Sequence, residues 1–314
     1  MDGGGQATTW GALERYLGSV SKQTFFADYL EQKYLHVKSA LALDAVESLL
    51  SSRDIARIFE SLPLYLSRVQ VIRNGVVDRE PRLHAAGGID PEFVAEQYEQ
   101  GASLRITDAQ YLVPAVNAAC EALARDCGCG VFANIYMTPK GNPGFNPHYD
   151  DHDVLIVQAH GSKSWSIHDE YANKREVPLL GDKFDPTECE PGPASHEFVL
   201  DIGDVLYIPR GHMHSARSGQ SGSSVHITFS LNWVTWNELA FDLLAQAVLS
   251  DVRYRRSIVG DLVRGDGADV SALLQTLFPQ MSAGLTTAAD VESSYARLSE
   301  RFEDMYLRPR APAL

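Results

Sequence analysis

From Gly130 onwards the sequence breaks into short segments rich in β-branched and aromatic residues, which are separated by Gly, Pro, Asn and Asp. These segments are VFANIYMTP, DVLIVQAHG, KSWSIHD, HEFVLDIGDVLYIP, MHSARS and SSVHITFSLNW. Short strands at this spacing are typical of an all-β sandwich or barrel. This feature restricts the fold more than any other in the chain, and it predicts a β core over residues 129–235.

The segments on either side of this core have helical periodicity instead. In residues 1–128 the apolar spacing predicts short helices, and the β-branched runs around Asn74-Gly75 predict a hairpin with a tight turn. The predicted helices cover residues 9–19, 25–35, 44–50, 52–59, 91–101 and 109–128. Residues 236–314 are helical again, with two amphipathic stretches joined through VSALLQTLFPQM.

The C-terminal helical region has a broad apolar face that must be buried. Its members are Leu239, Phe241, Leu243, Leu244 and Val248. Two arrangements would bury it: packing against the rest of the chain, or an interface between two copies of the protein. The sequence does not choose between them, so a homodimer is one of two expectations.

Composition predicts a reduced, cytoplasmic protein. Of the 314 residues 45% are hydrophobic and 22% charged, as in an ordinary globular domain. No apolar run approaches the roughly 20 residues that span a bilayer, and MDGGGQATTW lacks the features of a secretory signal. The four cysteines contain no C-x-x-C pair and make a poor disulfide framework: Cys120, Cys127, Cys129 and Cys189.

The formal net charge of −14 bears on the kind of partner. Nucleic-acid binding relies on clustered Lys and Arg, so neither direct nucleic-acid binding nor membrane binding is expected. An acidic protein suits a basic polypeptide partner, although many acidic proteins have no such partner.

The run FNPHYDDHDVLIV contains the first candidate for chemistry, His148 and Asp150. Residues two apart on a strand project to the same face, so this pair can bind one metal ion. The motif alone is weak: with 10 histidines and 41 acidic residues, about one H-x-[D/E] is expected by chance. A second one does occur, His168 with Glu170, and we interpret it as a polar strand end.

The surroundings of His148 and Asp150 favour a site. The pair follows a Gly-, Asn- and Pro-rich loop and precedes the apolar strand 154–157, which would hold the ligands rigidly. Lys163 begins the next predicted strand. If it points into a barrel it needs an anionic partner, because an unpaired buried ammonium is costly, and a dicarboxylate co-substrate would provide one. If Lys163 points outward, its ammonium is solvated. Strand parity does not decide between the two orientations.

A third metal ligand must come from elsewhere in the core. His212 and His214 follow the turn in YIPRG and share strand parity, and His226 lies on the following strand. Two histidines and one carboxylate are the protein ligands of non-haem Fe(II) oxygenases, and they leave open positions for co-substrate and O2.

Taken together, these motifs resemble the bacterial and eukaryotic ribosomal oxygenases, the JmjC-type cupin group. The resemblance rests on ANIYMTPKGNPGFNPHYDDHDVLIVQAHGSKSWSIH, on GDVLYIPRGHMHSA and on HITFSLNW, and it covers roughly residues 20–235. It implies an α+β fold in which a double-stranded β-helix, the cupin or JmjC jelly roll, carries N-terminal helical elements and a C-terminal helical region.

The resemblance also implies roles for individual residues. Fe(II) would be bound by His148, Asp150 and His214, the last chosen because the family's ligand ends the YIPRGxxH pattern. Lys163 would bind the distal carboxylate of 2-oxoglutarate. Three further residues match family positions that line the co-substrate pocket: Asn134, Tyr136 and Ser230. Alternatively, each is a polar residue of the barrel interior whose hydrogen bonds are satisfied within the protein.

The implied activity is hydroxylation of an amino-acid side chain in a protein or peptide, with succinate and CO2 as co-products. Only about 80 residues follow Trp233, enough for the family's helical dimerisation region but little for a complete winged helix. A ribosomal substrate, a small-molecule or natural-product tailoring reaction, methyl-lysine demethylation and a non-enzymatic cupin therefore stay open. The long loop 170–195 could cover the barrel mouth.

Overall fold

The fold is described from a computed structural model of the chain. It describes residues 11–60, 68–79, 82, 89–250, 252–255, 257, 275 and 288–307. The chain divides into two compact units, residues 1–232 with 306–314, and residues 233–305. Within the described residues, no helix is long and apolar enough to cross a membrane. The predicted three-part division stays a prediction: residues 1–128, 129–235 and 236–314.

Most predicted helices form, within a few residues of their expected bounds. The helices are α1 (Glu14–Leu17), α2 (Lys22–Asp28), α3 (Leu43–Leu49), α4 (Ser52–Glu60), α5 (Pro91–Glu99), α6 (Pro114–Cys127), α7 (Trp236–Ser250) and α8 (Ala288–Leu307). Helix α6 begins at a proline, which needs no helical N–H partner there, and ends before Gly128, which adopts the left-handed conformation. The predicted helix at 9–19 begins outside the described residues, as does most of VSALLQTLFPQM.

One predicted helix is wrong over its second half. The helix expected at 25–35 ends at Asp28, and Leu35–Val37 is a strand instead. Glu31 has a positive φ of 58°, which no α-helix continues through. The strand pairs antiparallel with residues 205–207, so tertiary pairing overrides the local helical spacing.

The strands of the described residues form two antiparallel sheets. The strands are β1 (Leu35–Val37), β2 (Val69–Arg73), β3 (Val76–Val77), β4 (Ser103–Ile106), β5 (Gly130–Thr138), β6 (Asp153–His160), β7 (Lys163–His168), β8 (His196–Leu200), β9 (Val205–Ile208), β10 (Met213–Ser218) and β11 (Ser224–Asn232). The larger sheet has the order β1-β9-β6-β11-β5-β4-β2-β3, and the smaller has the order β10-β7-β8. Strand β4 had no counterpart among the predicted elements.

The hairpin predicted at Asn74-Gly75 is confirmed, and both turn residues have positive φ, as a tight two-residue turn requires. The segment HEFVLDIGDVLYIP, in contrast, divides into β8 and β9, which belong to different sheets. The chain reverses at Gly203, whose φ is +90° and where a Cβ would approach Leu41 O to 2.4 Å. Only glycine fits this turn between the sheets.

The core lies between the two sheets. Apolar side chains of both sheets pack there with almost no exposure: Val154, Ile156, Trp165, Ile167, Leu200, Leu206 and Ile208. The chain crosses between the two facing antiparallel sheets after β6, β8, β9 and β10, as in a jelly roll. The predicted α+β fold with a double-stranded β-helix core is confirmed.

Candidate metal centre

The site begins with a pair of histidines that face each other across two chain segments. His148 and His214 form an antiparallel bridge: the N–H of His148 donates to His214 O at 3.1 Å, and the N–H of His214 donates to His148 O at 2.8 Å. Residues directly opposite each other place their side chains on the same face. The two imidazole rings accordingly lie 4.6 Å apart, centroid to centroid.

Asp150 completes the group because it lies two residues from His148, on the same face. Its carboxylate oxygens lie 3.6 Å from His214 Nε2 and 4.0 Å from His148 Nε2. All three candidate ligand atoms lie within 4.8 Å of one another, a spacing that a single metal ion can bridge. Two nitrogens and one carboxylate oxygen on one side of an ion are the donor set of the facial triad.

Backbone carbonyls orient both imidazole rings for metal binding. His148 Nδ1 lies 2.8 Å from Asn146 O, and His214 Nδ1 lies 2.9 Å from His212 O. A carbonyl oxygen only accepts, so each Nδ1 carries the proton and each Nε2 presents its lone pair to the site. Contacts of this kind commonly orient metal-binding histidines in proteins.

The protonation states of the site also suit a cation. Burial, and then the proximity of His148, lower the pKa of His214 to about 4, so its ring is neutral at physiological pH. For Asp150, burial opposes ionisation, but nearby histidines, led by His152, outweigh it and lower the pKa. A neutral imidazole and an ionised carboxylate are the forms that bind a divalent metal.

Lys163 points inward and is fully buried, so the solvated alternative is excluded. Its Nζ donates to Thr138 Oγ1 at 3.0 Å and lies 5.9 Å from the centre of the Trp165 ring. No carboxylate of the described residues offsets the charge, and burial lowers the pKa of Lys163 to about 7. A buried ammonium without a counter-ion is costly, and a carboxylate ligand would supply the missing charge.

Lys163 and the metal group line one cavity. Its wall also includes Tyr136, Trp165, His226 and Thr228. The rings of Tyr136 and His226 stack at 4.8 Å with an interplanar angle of 5°. Within the described part of the chain, His226 Nδ1 and Trp165 Nε1 are buried without hydrogen-bond partners. Unsatisfied polar atoms next to a buried cation fit a polar, anionic occupant.

The structure brings some predicted site residues together and separates others. His148, Asp150, His214, Lys163 and Tyr136 share the cavity. Asn134 and Ser230 lie further along the same strands, outside the cavity wall: the Asn134 side chain accepts the N–H of Asp108 at 3.2 Å, and Ser230 Oγ is buried without a partner among the described residues. Their co-substrate role stays a prediction.

The competing histidines lie elsewhere. His212 contributes its carbonyl to the orientation of His214. The His168 ring is bonded to Gly192 O at 2.8 Å, and neither residue belongs to a metal group among the described residues. Trp165 and Thr228 line the cavity and were not predicted as site residues. His226 lies four residues before Ser230 on one strand, and strand parity alone would have assigned both to one face.

Two phenylalanines lie beside the metal group. The Phe145 ring lies 5.4 Å from the His148 ring, and the Phe184 ring lies 6.4 Å from it, centroid to centroid. Arg105 lies 5.2 Å from the Phe145 ring and donates to Gln70. Phe184 belongs to the loop 170–195, so one side chain of this loop lies beside the metal group; that the loop covers the barrel mouth stays a prediction.

Comparison with known proteins agrees with this geometry. Residues 107–239 match the model of the JmjC domain. A Dictyostelium discoideum protein named bifunctional lysine-specific demethylase and histidyl-hydroxylase NO66 is 31% identical over 240 residues, which cover 76% of this chain and 46% of the relative. Ribosomal oxygenase 1 of Danio rerio is 27% identical over 257 residues, which cover 80% and 47%. The chain thus spans about half the length of these relatives.

Solved structures share the fold. The ribosomal oxygenase YcfD from Escherichia coli, in complex with cobalt and 2-oxoglutarate, aligns with a TM-score of 0.56 at 15% identity, covering 95% of this chain and 76% of that chain. At this identity the likeness concerns the fold alone. Residues 107–239 therefore carry a JmjC domain, and the similarity to the ribosomal oxygenase family that the sequence motifs indicated is confirmed.

Proposed function

We propose that the chain is an Fe(II)- and 2-oxoglutarate-dependent oxygenase that hydroxylates an amino-acid side chain in a protein or peptide. The observation that carries the proposal is the convergence of His148, Asp150 and His214 in one cavity with the buried Lys163. These three residues would hold the metal and leave positions free for the co-substrate and O2, and Lys163 would supply the positive charge for the second carboxylate of 2-oxoglutarate.

Each residue has a distinct task in this reaction. When bound, Fe(II) with 2-oxoglutarate and O2 supplies the chemistry that converts a substrate C–H to C–OH and releases succinate and CO2. His148, Asp150 and His214 would hold the metal, and Lys163 would bind the distal carboxylate of the co-substrate by charge. Burial raises the pKa of Tyr136, although Arg105 opposes the effect, so its phenol stays protonated in the cavity wall. Trp165 contributes a buried apolar ring to the cavity wall.

The activity is tested by supplying Fe(II), 2-oxoglutarate and O2 with candidate substrates and measuring succinate. Ribosomal protein fractions and basic peptides should gain the mass of one oxygen atom, with one succinate formed for each. Free amino acids and small metabolites provide the comparison, and exclusive turnover of these would favour a tailoring hydroxylase. Release of formaldehyde would indicate demethylation of a methyl-lysine. Absence of succinate under every condition would support the non-enzymatic cupin and refute the proposal.

A protein substrate has independent support. The relatives are named for histidyl hydroxylation, lysine demethylation and ribosomal oxygenation, and the net charge of −14 suits a basic polypeptide. We place the reaction in the cytoplasm, because all four cysteines are free and reduced thiols are typical of that compartment.

The affinity for 2-oxoglutarate should depend on the charge of Lys163. Burial lowers the pKa of this residue to about 7 in the free protein, and a bound carboxylate raises it again. Below pH 7 the ammonium is already present, whereas above pH 7 binding must first take up a proton. The Kd at pH 8 should therefore be about tenfold higher than at pH 6.

Calorimetric titration of the Mn(II)-saturated protein, in buffers of different ionisation enthalpy, measures both the affinity and the proton uptake. Lys163→Arg is the matched control, because a guanidinium stays charged over this range and should give a flat profile. A wild-type Kd that is equal at both pH values would contradict the role of Lys163.

We further propose that the chain forms a homodimer through its helical region. Phe241, Ala245 and Leu249 follow each other at four-residue spacing on helix α7 and are exposed, Phe241 and Leu249 each to 64%. An exposed apolar stripe marks an interaction surface. Phe241→Asp should shift the mass measured by light scattering from two chains to one, whereas Gln246→Asp, on a polar position of the same helix, should not. A wild-type mass of one chain would overturn the proposal.

A further inference from the structure

The loop 170–195 packs against the reverse side of the metal group. Tyr149 lies between the ligands His148 and Asp150 and points away from them, and Met213 directly precedes His214. Both are buried in one cluster with Tyr171 and Cys189 of the loop, and Phe184 packs against this cluster. Through this apolar cluster, the loop therefore packs against both segments that supply metal ligands.

Polar contacts tie the loop to the turn that precedes His214. Tyr171 donates its hydroxyl to Gly211 O at 2.8 Å and accepts the N–H of Arg175 at 3.0 Å. Arg210 donates to Pro178 O at 3.1 Å. Gly211 has a φ of +78°, and a Cβ there would lie 2.5 Å from Arg175 O. The backbone of the turn thus touches the backbone of the loop.

A separate set of contacts ties the loop to the segment of Asp150. Asp151 accepts the N–H of Gly181 at 2.6 Å and bonds His152 Nδ1 at 2.7 Å. The N–H of Gly211 donates to Asp150 O at 3.0 Å, which joins the two ligand-bearing segments directly. The loop contacts the segment of His148 and Asp150 through Tyr149 and Asp151. It contacts the segment of His214 through Gly211 and Met213.

From these contacts we infer that the loop 170–195 is a clamp that sets the distance between the metal-binding segments, with Tyr171 as its positioning residue. The inference rests on the metal site of the proposed function. Tyr171 touches neither metal ligand, so it acts through Gly211 and through the ring of Tyr149, which it stacks at 5.8 Å. Loss of the clamp lets His214 move relative to His148 and Asp150.

Tyr171→Phe tests the inference, because it keeps the ring and removes only the hydroxyl. The Kd for Co(II) should rise by about tenfold, the lower end of the range for changes behind metal ligands, and the visible absorption bands of bound Co(II) should shift as its geometry relaxes. Cys189→Ala, which thins the apolar cluster, should produce a smaller change in the same direction. Tyr98→Phe, at a half-buried tyrosine that belongs neither to the cavity lining nor to the apolar cluster, is the control and should leave the Kd and the spectrum unchanged.

Circular dichroism establishes whether each variant is folded. If Tyr171→Phe does not fold, the Co(II) affinity and spectrum of Cys189→Ala test the inference. Wild-type affinity and spectrum in both variants would overturn the clamp. An equal change in Tyr98→Phe would overturn it too, since the effect would then be general destabilisation. The proposed function fails separately, if the wild type binds Co(II) but yields no succinate with Fe(II) and 2-oxoglutarate.

Discussion

Asp150→Ala is expected to abolish succinate production and to weaken metal binding by at least about 100-fold. The substitution removes the only carboxylate of the triad and leaves two imidazoles facing each other. Changes behind a metal ligand already cost about 10- to 100-fold in affinity, so loss of a ligand should cost more. Mn(II) titration followed by electron paramagnetic resonance measures the affinity, and chromatography measures succinate.

The second H-x-E motif provides a matched control for this substitution. Glu170 is spaced from His168 as Asp150 is from His148, but its side chain is 85% exposed and far from any metal group of the described residues. Glu170→Gln should therefore retain metal affinity and turnover. Succinate production that survives in Asp150→Ala would show that the triad is not the catalytic metal site.

Lys163→Met should stabilise the free protein and impair co-substrate binding. Methionine fills a similar volume and removes a buried ammonium that has no counter-ion among the described residues. Replacing an uncompensated buried charge by a well-packed apolar side chain is neutral or stabilising. The same change removes a charge-assisted contact to 2-oxoglutarate, and it should raise the Kd by about 30-fold, or about 2 kcal/mol.

The opposite signs of the two effects make this variant informative. Thermal unfolding without ligand should show an unchanged or higher midpoint, while calorimetry with Mn(II) should show the weakened Kd. Lys38→Met, at an exposed position, should alter neither quantity. A large loss of stability in Lys163→Met, with 2-oxoglutarate affinity retained, would mean that the lysine has a structural partner instead.

Local patterns predicted the elements that depend on local physics. The Asn74-Gly75 hairpin formed because its two residues tolerate positive φ, and helix α6 formed between a proline and a glycine that suit its two ends. Where long-range pairing decided, the predictions failed. The helix expected at 25–35 ends at Asp28 and Leu35–Val37 pairs with β9 instead, and β4 arose between two neighbouring strands without a distinct alternating pattern.

The site shows the same division. Spacing alone placed His148 and Asp150 on one face, because a strand has a period of two residues. It could not select His214 over His212 or His226; the resemblance to a family selected it, and the bridge between His148 and His214 places it opposite the first ligand. Cavity residues such as Trp165 and Thr228 were not predicted, because a single such residue in a strand carries no motif.

The sequence by itself determined the β core, the H-x-D pair and the candidate lysine, since each depends on residue types and spacings along one segment. Only the tertiary structure decided that Lys163 points inward without a counter-ion, that two segments 66 residues apart meet at a bridge, and that the loop 170–195 packs behind them. These properties depend on contacts between distant segments, which strand pairing and sheet packing create and which no local periodicity encodes.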